Sequence, residues 1–85
     1  MPKVHRVDDI DSGKDIAVSG AKYVYANGKN VVRIGDVDSD PDTKVTGSPD
    51  VWAEGKKVHR IGDIDSDSPP NSAVSGSPNV FANGK

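Results

Sequence analysis

Residues 57–67 read KVHRIGDIDSD and residues 30–40 read NVVRIGDVDSD, so the chain carries the same stretch twice, almost letter for letter. The likeness continues to the end of each copy, and a looser version opens the chain. Corresponding arginines fall at equal steps of 27 positions, at Arg6, Arg33 and Arg60. The chain is therefore predicted to be a single domain, residues 1–85, built of three repeats over residues 3–29, 30–56 and 57–85.

The third copy is longer than the other two. Glycines of the late turn fall at Gly28, Gly55 and Gly84, in steps of 27 and 29, which places a two-residue insertion within residues 68–71. A repeat of this length is one supersecondary unit that cannot bury a core alone, and about three are needed for a stable assembly. The three copies are therefore expected to share one core.

Composition points to an all-β fold. The 85 residues include nine glycines and six prolines, no cysteine, and only one Trp, one Phe and two Tyr. Such usage favours short strands joined by tight turns over long helices. The net charge is only -2, with acidic and basic residues interspersed, which predicts no nucleic-acid partner.

Each copy contains a short segment in which a valine, an aromatic residue and an alanine follow one another. Because successive strand side chains point to opposite faces, the valine and the alanine share a face and the aromatic residue lies on the other. The following turns are Asn27-Gly28, Glu54-Gly55 and Asn83-Gly84, and Asn-Gly is the strongest short hairpin signal. These segments are predicted to be core strands. Their aromatic residues are expected in the core or between repeats, with an interface anchor as the alternative: Tyr25, Trp52 and Phe81.

The order of strands predicts closure. The strand that follows each turn carries the arginine, and it is also the first strand of the sequence, over residues 4–7. Pairing this first strand with the last one, near residues 80–82, would join the copies into a ring without a bare sheet edge. We therefore expect three β-hairpin repeats with pseudo-three-fold symmetry and adjacent termini.

The segments that resemble a known family begin where the strand that carries the repeated arginine meets the turn after it. Arg33-Ile34-Gly35-Asp36 and Arg60-Ile61-Gly62-Asp63, with GSPNVFANGK at residues 76–85, resemble the PAAR-repeat proteins, the pointed tips of contractile injection machines. Of the tetrad Pro-Ala-Ala-Arg that names the family, only the arginine is kept here. The resemblance covers essentially the whole chain and repeats in register. It implies a small β-rich cone with a triangular base.

In that family the base of the cone sits on the end of a trimeric β-helical spike, and the tip is the first part to touch the target envelope. The resemblance therefore implies a structural spike-tip protein, one monomer on a homotrimer. Secretion-system relatives often carry fused effector domains, and this chain is the bare repeat unit. We expect a phage virion component at the tip of the tail baseplate spike. A type VI secretion spike, made in the bacterial cytoplasm and then exported, is the alternative.

Relatives commonly hold a zinc ion near the tip through histidines and a cysteine in the loops after the Gly-Asp pairs. This chain departs from that pattern, because it has no cysteine and its two histidines, His5 and His59, lie in the tetrads. A closed zinc site normally needs four N or S ligands, so neither zinc nor another cofactor is expected. His5 and His59 are predicted to be polar residues of a surface or interface.

The loops are rich in aspartate instead, with Asp-x-Asp-x-Asp series at residues 36–40 and 63–67. Many calcium loops begin in this way, but the glycine at the sixth position and the closing glutamate are missing. The aspartates are therefore predicted to satisfy backbone groups of their own turns and to hold an arginine. If an oxygen-ligated ion is bound, Asp40 and Asp67 are the candidate ligands.

Three classes of function compete. The resemblance favours a spike tip, while the Asp-rich loops would also suit a calcium-dependent extracellular β-repeat binding module. Catalysis is not expected, because no nucleophile and base are suggested by spacing and so thin a domain leaves little room for a ~300 Å³ pocket. The repeated arginines are expected to pair internally rather than with the spike. The repeat-motif residues given a structural role are Arg6, Arg33, Arg60, Gly35, Asp36, Gly62, Asp63, Gly28, Gly55 and Gly84.

Overall fold

The computed structural model describes residues 2–82, and every regular element in this part of the chain is a β-strand. Strand β1 (Tyr25–Ala26) pairs antiparallel with β2 (Lys29–Asn30), and β3 (Trp52–Ala53) pairs antiparallel with β4 (Lys56–Lys57). The predicted all-β class is confirmed. Among the described residues no helix is long and apolar enough to cross a membrane.

Two of the three predicted hairpin turns lie within the described residues. Both central residues have positive φ, with 56° and 80° at Asn27 and Gly28, and 54° and 82° at Glu54 and Gly55. This is the backbone of a type I′ turn, whose twist matches that of the flanking strands. The predicted turn at residues 83–84 lies outside the described residues.

Single backbone pairs, rather than long strands, join the three copies to one another. The antiparallel pairs are Arg6 with Val31, Arg33 with Val58, and Arg60 with Val4. Between them lies a closed cycle of three hydrogen bonds. The Val32 N–H donates to the His5 carbonyl, the His5 N–H to the His59 carbonyl, and the His59 N–H to the Val32 carbonyl, over 2.9 to 3.0 Å. We call these three residues the central triangle. Each copy is therefore bonded to both of the others through corresponding positions.

The first and last described segments pair with each other. Lys3 pairs antiparallel with Phe81. The N–H of Val4 donates to the carbonyl of Val80 over 2.9 Å, and the N–H of Ala82 donates to the carbonyl of Pro2 over 3.0 Å. This is the register of the two internal hairpins, in which Tyr25 pairs with Asn30 and Trp52 with Lys57. The pairing predicted between the first and last strands is present, and it leaves no unpaired edge at this point.

The core is thin and made of small side chains. Its buried cluster contains only valines and alanines: Val4, Ala21, Ala26, Val31, Ala53, Val58 and Ala82. The described chain extends over 26 × 24 × 24 Å, so it is not an elongated stack of repeats. With so little apolar volume available, the rest of the interior must be filled by polar groups that satisfy one another.

The insertion of the third copy sits in a loop. Corresponding loops are closed by backbone bonds from Asp11 N–H to the Asp15 carbonyl, and from Asp38 N–H to the Asp42 carbonyl. In the third copy the bond runs from Asp65 N–H to the Asn71 carbonyl, two positions further along the chain. The extra residues therefore lengthen an exposed loop, as predicted, and leave the contacts between copies in register.

Candidate functional site

The repeated arginine of each copy forms a bidentate pair with the aspartate three residues later. In the second copy, Nε and Nη2 of Arg33 donate to the two carboxylate oxygens of Asp36 over 2.9 and 3.0 Å, and the Arg33 backbone N–H adds a third bond at 2.8 Å. The pairs are Arg6 with Asp9, Arg33 with Asp36, and Arg60 with Asp63. The prediction that the arginines pair internally is confirmed.

Each of these pairs also ties one copy to another part of the chain. Asp36 accepts a hydrogen bond from the Ser19 hydroxyl at 3.0 Å, and the Arg33 guanidinium donates to the Gly20 carbonyl at 3.4 Å. Burial by itself raises the pKa of Asp36, but the hydrogen bonds from Arg33 and Ser19 outweigh it, and the pKa lies below its ordinary value. The carboxylate thus stays ionised and holds its four donors at neutral pH.

The two histidines are wholly buried, so the prediction that they lie at a surface or interface is wrong. His5 and His59 are both 0 % exposed, and each ring donates from Nδ1–H to a backbone carbonyl, that of Ser75 for His5 and that of Thr46 for His59, over 2.8 and 2.7 Å. Their Nε2 atoms are buried without a hydrogen-bond partner in the protein. Both belong to the central triangle, whose third member is Val32. This middle position is buried in every copy, and the valine before it is buried as well.

Burial sets the charge of these two rings. It lowers the pKa of His5, and it lowers that of His59 to about 4, with smaller lowering contributions from the nearby charge of Lys44. Both imidazoles are therefore neutral at pH 7. Their rings meet edge to face in the interior. A neutral, buried pair of this kind is a packing element whose protonation would be costly.

Beyond the histidines, three aspartates at equal sequence steps converge in the interior. Asp11, Asp38 and Asp65 are 1 %, 1 % and 3 % exposed, and one oxygen of each lies within 4.8 Å of the others. We call them the carboxylate triad. The other oxygen of each accepts two backbone N–H groups of its own loop, as Asp38 Oδ1 does from Asp40 and Asp42 at 3.0 and 2.9 Å. The predicted local role of the loop aspartates is confirmed for these three.

A buried lysine lies among the triad. The Lys44 side chain is 1 % exposed, and its Nζ lies 3.2 Å from Asp38 Oδ2 and 4.0 Å from Asp11 Oδ2. Burial raises the pKa of Asp38, but the loop N–H groups and the Lys44 ammonium outweigh burial and bring that pKa below its ordinary value. Burial also raises the pKa of Asp11, and there the loop N–H groups and Lys44 do not offset it. Sequence reasoning missed both Lys44 and the triad, although the equal spacing of the three aspartates was a usable signal.

The proposed ion ligands Asp40 and Asp67 lie elsewhere. Asp40 is exposed and lies with Asp15 and Asp42 in a second group of carboxylates. Asp67 instead accepts hydrogen bonds from the Ser68 N–H and the Asn71 side-chain amide, at 2.8 and 3.0 Å. Desolvation, followed by the neighbouring carboxylates of Asp67 and Asp38, raises the pKa of Asp42 to about 6. In the described residues, both groups of three potential ligands consist of aspartates alone.

The three corresponding aromatic residues are exposed, so their predicted place in the core is wrong. Tyr25, Trp52 and Phe81 are 57 %, 55 % and 46 % exposed, whereas the alanines that follow them are buried. The predicted alternation holds for the aromatic residues and the alanines but not for the valines before them, and the inward position beside the thin core is occupied by alanine. Val24 and Val80, predicted to share the buried face, are also 38 % and 37 % exposed.

A shallow groove of about 430 Å³ adjoins Trp52, which is more space than the sequence led us to expect. It is lined by Ile34, Gly35, Trp52, Gly55, Lys56 and Lys57. The Lys57 ammonium lies over the Trp52 ring, 5.5 Å from its centre. These lining residues carry no carboxylate, imidazole or hydroxyl group, so the groove offers an apolar contact surface rather than a nucleophile and base.

The sequence matches no protein-family model, and a search of curated proteins found no match.

Proposed function

We propose that this chain is a PAAR-like spike tip, a pseudo-three-fold cone that caps the end of a homotrimeric β-helical spike of a contractile tail or secretion machine. In this role it carries no catalytic activity and helps the spike breach a target envelope mechanically. The proposed setting is the tip of a phage tail baseplate spike, with a type VI secretion spike as the alternative.

The observation that carries the proposal is the set of exposed aromatic residues at corresponding positions, one in each copy. Tyr25, Trp52 and Phe81 occupy the same place in β1, in β3 and in the pairing of the chain's first and last described segments. Aromatic side chains are frequent anchors of protein interfaces, where they fill pockets of the partner. Three similar anchors on one monomer suit a partner that presents the same pocket three times, as a homotrimer does.

The contacts between copies support the same reading. The hydrogen bonds of the central triangle and the three arginine–aspartate pairs recur between corresponding residues. In the proposed role, three similar faces on one chain allow a single polypeptide to match three identical subunits. The dense internal bonding also suits a part that must transmit force, because each arginine–aspartate pair is bidentate and held by a further backbone or hydroxyl contact.

A calcium-dependent extracellular binding module remains the second candidate, favoured by the acidic group of Asp15, Asp40 and Asp42. Such a module would owe much of its stability to the ion, whereas a spike tip held by internal pairs would not. Thermal unfolding of the wild-type protein in EDTA and in 1 mM CaCl₂ separates the two. A large calcium-dependent increase in Tm would favour the binding module and contradict the spike-tip proposal.

The direct test is binding to purified trimeric β-helical spike proteins, measured by calorimetry and by light scattering of the complex. We expect one monomer per trimer, and a loss of affinity of about 30-fold for Trp52→Ala, as for an interface hot spot. The matched control is Val45→Ala, since Val45 is also exposed, at 47 %, but lies outside the aromatic set.

The two variants also distinguish specific docking from nonspecific association. Trp52→Ala should unfold at nearly the same temperature as the wild type, because the ring is more than half exposed. Equal affinity of Trp52→Ala and wild type for a bound spike, or a complex with three copies of this chain per trimer, would overturn the proposed docking.

A further inference from the structure

The position of Lys44 in the repeat is anomalous. The backbone N–H groups of Ala17, Lys44 and Ala73 make the same bond, to the carbonyls of Asp9, Asp36 and Asp63 over 2.8 to 2.9 Å. Two copies thus place a methyl group at this position, and the remaining copy places a long cationic side chain there. The Lys44 ammonium reaches into the carboxylate triad, where it is withdrawn from solvent.

The triad needs a cation for electrostatic reasons. The loop N–H groups engage Oδ1 of Asp11, of Asp38 and of Asp65, and one oxygen of each carboxylate lies within 4.8 Å of the others. The Oδ2 atoms of Asp11 and Asp65 are buried without a hydrogen-bond donor from the protein. Buried carboxylates at such short range repel one another strongly unless a positive charge or a proton lies between them.

We propose that Lys44 is the built-in cation of this site, taking the place that a hard divalent cation would otherwise fill, and that removing its ammonium converts the triad into a metal site. The Oδ2 atoms of Asp11 and Asp65 accept no hydrogen bond from the protein and can supply oxygen ligands once the ammonium is removed, and carboxylate oxygens are the donors that Ca²⁺, Mg²⁺ and Mn²⁺ prefer. A covalently attached ammonium makes the interior independent of metal supply. This inference does not depend on the proposed spike-tip function.

The test compares the wild type with Lys44→Ala, which copies the residue of the other two repeats, and with Lys44→Met, which keeps the aliphatic stem. Thermal unfolding is followed in EDTA and in 1 mM CaCl₂ or MnCl₂. Wild-type Tm should be unchanged by the cations. In EDTA both variants should unfold at a Tm lower by ~10 °C or more, as expected for a broken buried ion pair in a domain of this size.

Added cation should restore much of the lost Tm in Lys44→Ala, and calorimetry should give one bound ion per chain. The control is the double variant Lys44→Ala with Asp38→Asn, which lacks one triad carboxylate and should show no recovery. Paramagnetic Mn²⁺ should broaden the amide signals near Asp11, Asp38 and Asp65 in Lys44→Ala and leave those of the wild type sharp.

Three results would overturn the proposal. The first is one equivalent of cation bound at the triad of the wild type. The second is a Lys44→Ala protein as stable in EDTA as the wild type, and the third is a folded Lys44→Ala protein that shows no response to cations. If the Lys44 variants do not fold, NMR of the Lys44 ammonium in the wild type and in Asp38→Asn tests the proposal instead. A slowly exchanging Lys44 ammonium signal that responds to Asp38→Asn supports the proposal, and an ammonium that exchanges as fast as those of exposed lysines refutes it.

Discussion

The imidazole rings of His5 and His59 meet edge to face, with their centres 5.4 Å apart and their planes inclined by 75°. Two of the three residues of the central triangle thus carry ionisable side chains, and the third residue is Val32. The charged groups around them are Lys44, Asp9 and Arg6 near His5, and Lys44 and Asp63 near His59. Burial, aided by the Lys44 charge, outweighs the carboxylates and the hydrogen-bonded carbonyls, which raise the pKa of each ring, and keeps both rings neutral.

This arrangement predicts acid sensitivity between pH 6.5 and about 4. In that range the unfolded chain binds a proton on His59 that the folded chain does not, so the free energy of unfolding falls as the pH falls. The shift of His59 from 6.5 to about 4 corresponds to about 3 kcal/mol. The double variant His5→Val and His59→Val, which copies Val32, should lose this dependence in urea unfolding at pH 7, 6, 5 and 4.

Asp42 acts in the opposite direction, because its pKa is raised to about 6 and the folded state therefore binds its proton more readily than the unfolded state. Its contribution is common to the wild type and the variant and cancels in the comparison. An unchanged slope of stability against pH in the double variant would show that the histidines are not the groups responsible.

The arginine–aspartate pairs should be individually important. Asp36→Asn keeps the size of the side chain but removes the bidentate carboxylate from the nearly buried Arg33 guanidinium, whose remaining carboxylate contact is Glu54 at 3.3 Å. We expect the free energy of unfolding to fall by about 2 to 4 kcal/mol. Urea unfolding at pH 7 measures it, with Asp8→Asn as the control at an exposed position. Equal losses in both variants would contradict a special role for the pair.

The glycines before the Ser-Pro bends are predicted to be required for close packing. A Cβ on Gly47 would lie 2.6 Å from the Val58 carbonyl oxygen, which is too close for any real contact. Gly47→Ala should therefore destabilise the fold by about 2 to 4 kcal/mol, since the backbone must shift.

The control for Gly47→Ala is Gly55→Asn. Gly55 has φ +82° and open space around its Cβ position, and asparagine tolerates this left-handed conformation. The cost at Gly55 should stay below about 1 kcal/mol. Chemical unfolding that ranked Gly55→Asn as the more damaging change would contradict the packing argument.

Asp8 offers a stabilising substitution. It has φ 82°, and the corresponding residues of the other copies, Gly35 and Gly62, have φ 92° and 93°. Because glycine adopts this conformation without steric cost, Asp8→Gly should raise the free energy of unfolding by about 0.5 to 1 kcal/mol. The reverse change, Gly62→Asp, should lower it by a similar amount. Urea unfolding of both variants gives the answer, and a loss of stability in Asp8→Gly would show that the Asp8 side chain has a role of its own.

Much of the fold could be read from the repeat. Strand order predicted that the first and last strands would pair, and the Lys3–Phe81 pair confirms that prediction. Turn chemistry predicted the positive φ angles at Asn27-Gly28 and Glu54-Gly55, because few residue types adopt them. The partner of each arginine was also predictable, since a bidentate acceptor three residues away is local in sequence.

The contents of the interior could not be read in the same way. Alternation along a strand separates two faces but does not say which face is inward. From the sequence, the histidines were therefore predicted to lie outside and the aromatic residues inside. The observed arrangement is the reverse. The thin core decides this, because it admits alanine but no aromatic ring beside the hairpins.

By itself, the sequence determined the three repeats, their turns and the charged pairs within each copy, all of which depend on residues close together in the chain. Only the tertiary structure decided that Asp11, Asp38 and Asp65 converge and that Lys44 lies among them. The physical reason is that the charge balance of a buried site depends on groups brought together from all three copies, and no single repeat contains that balance.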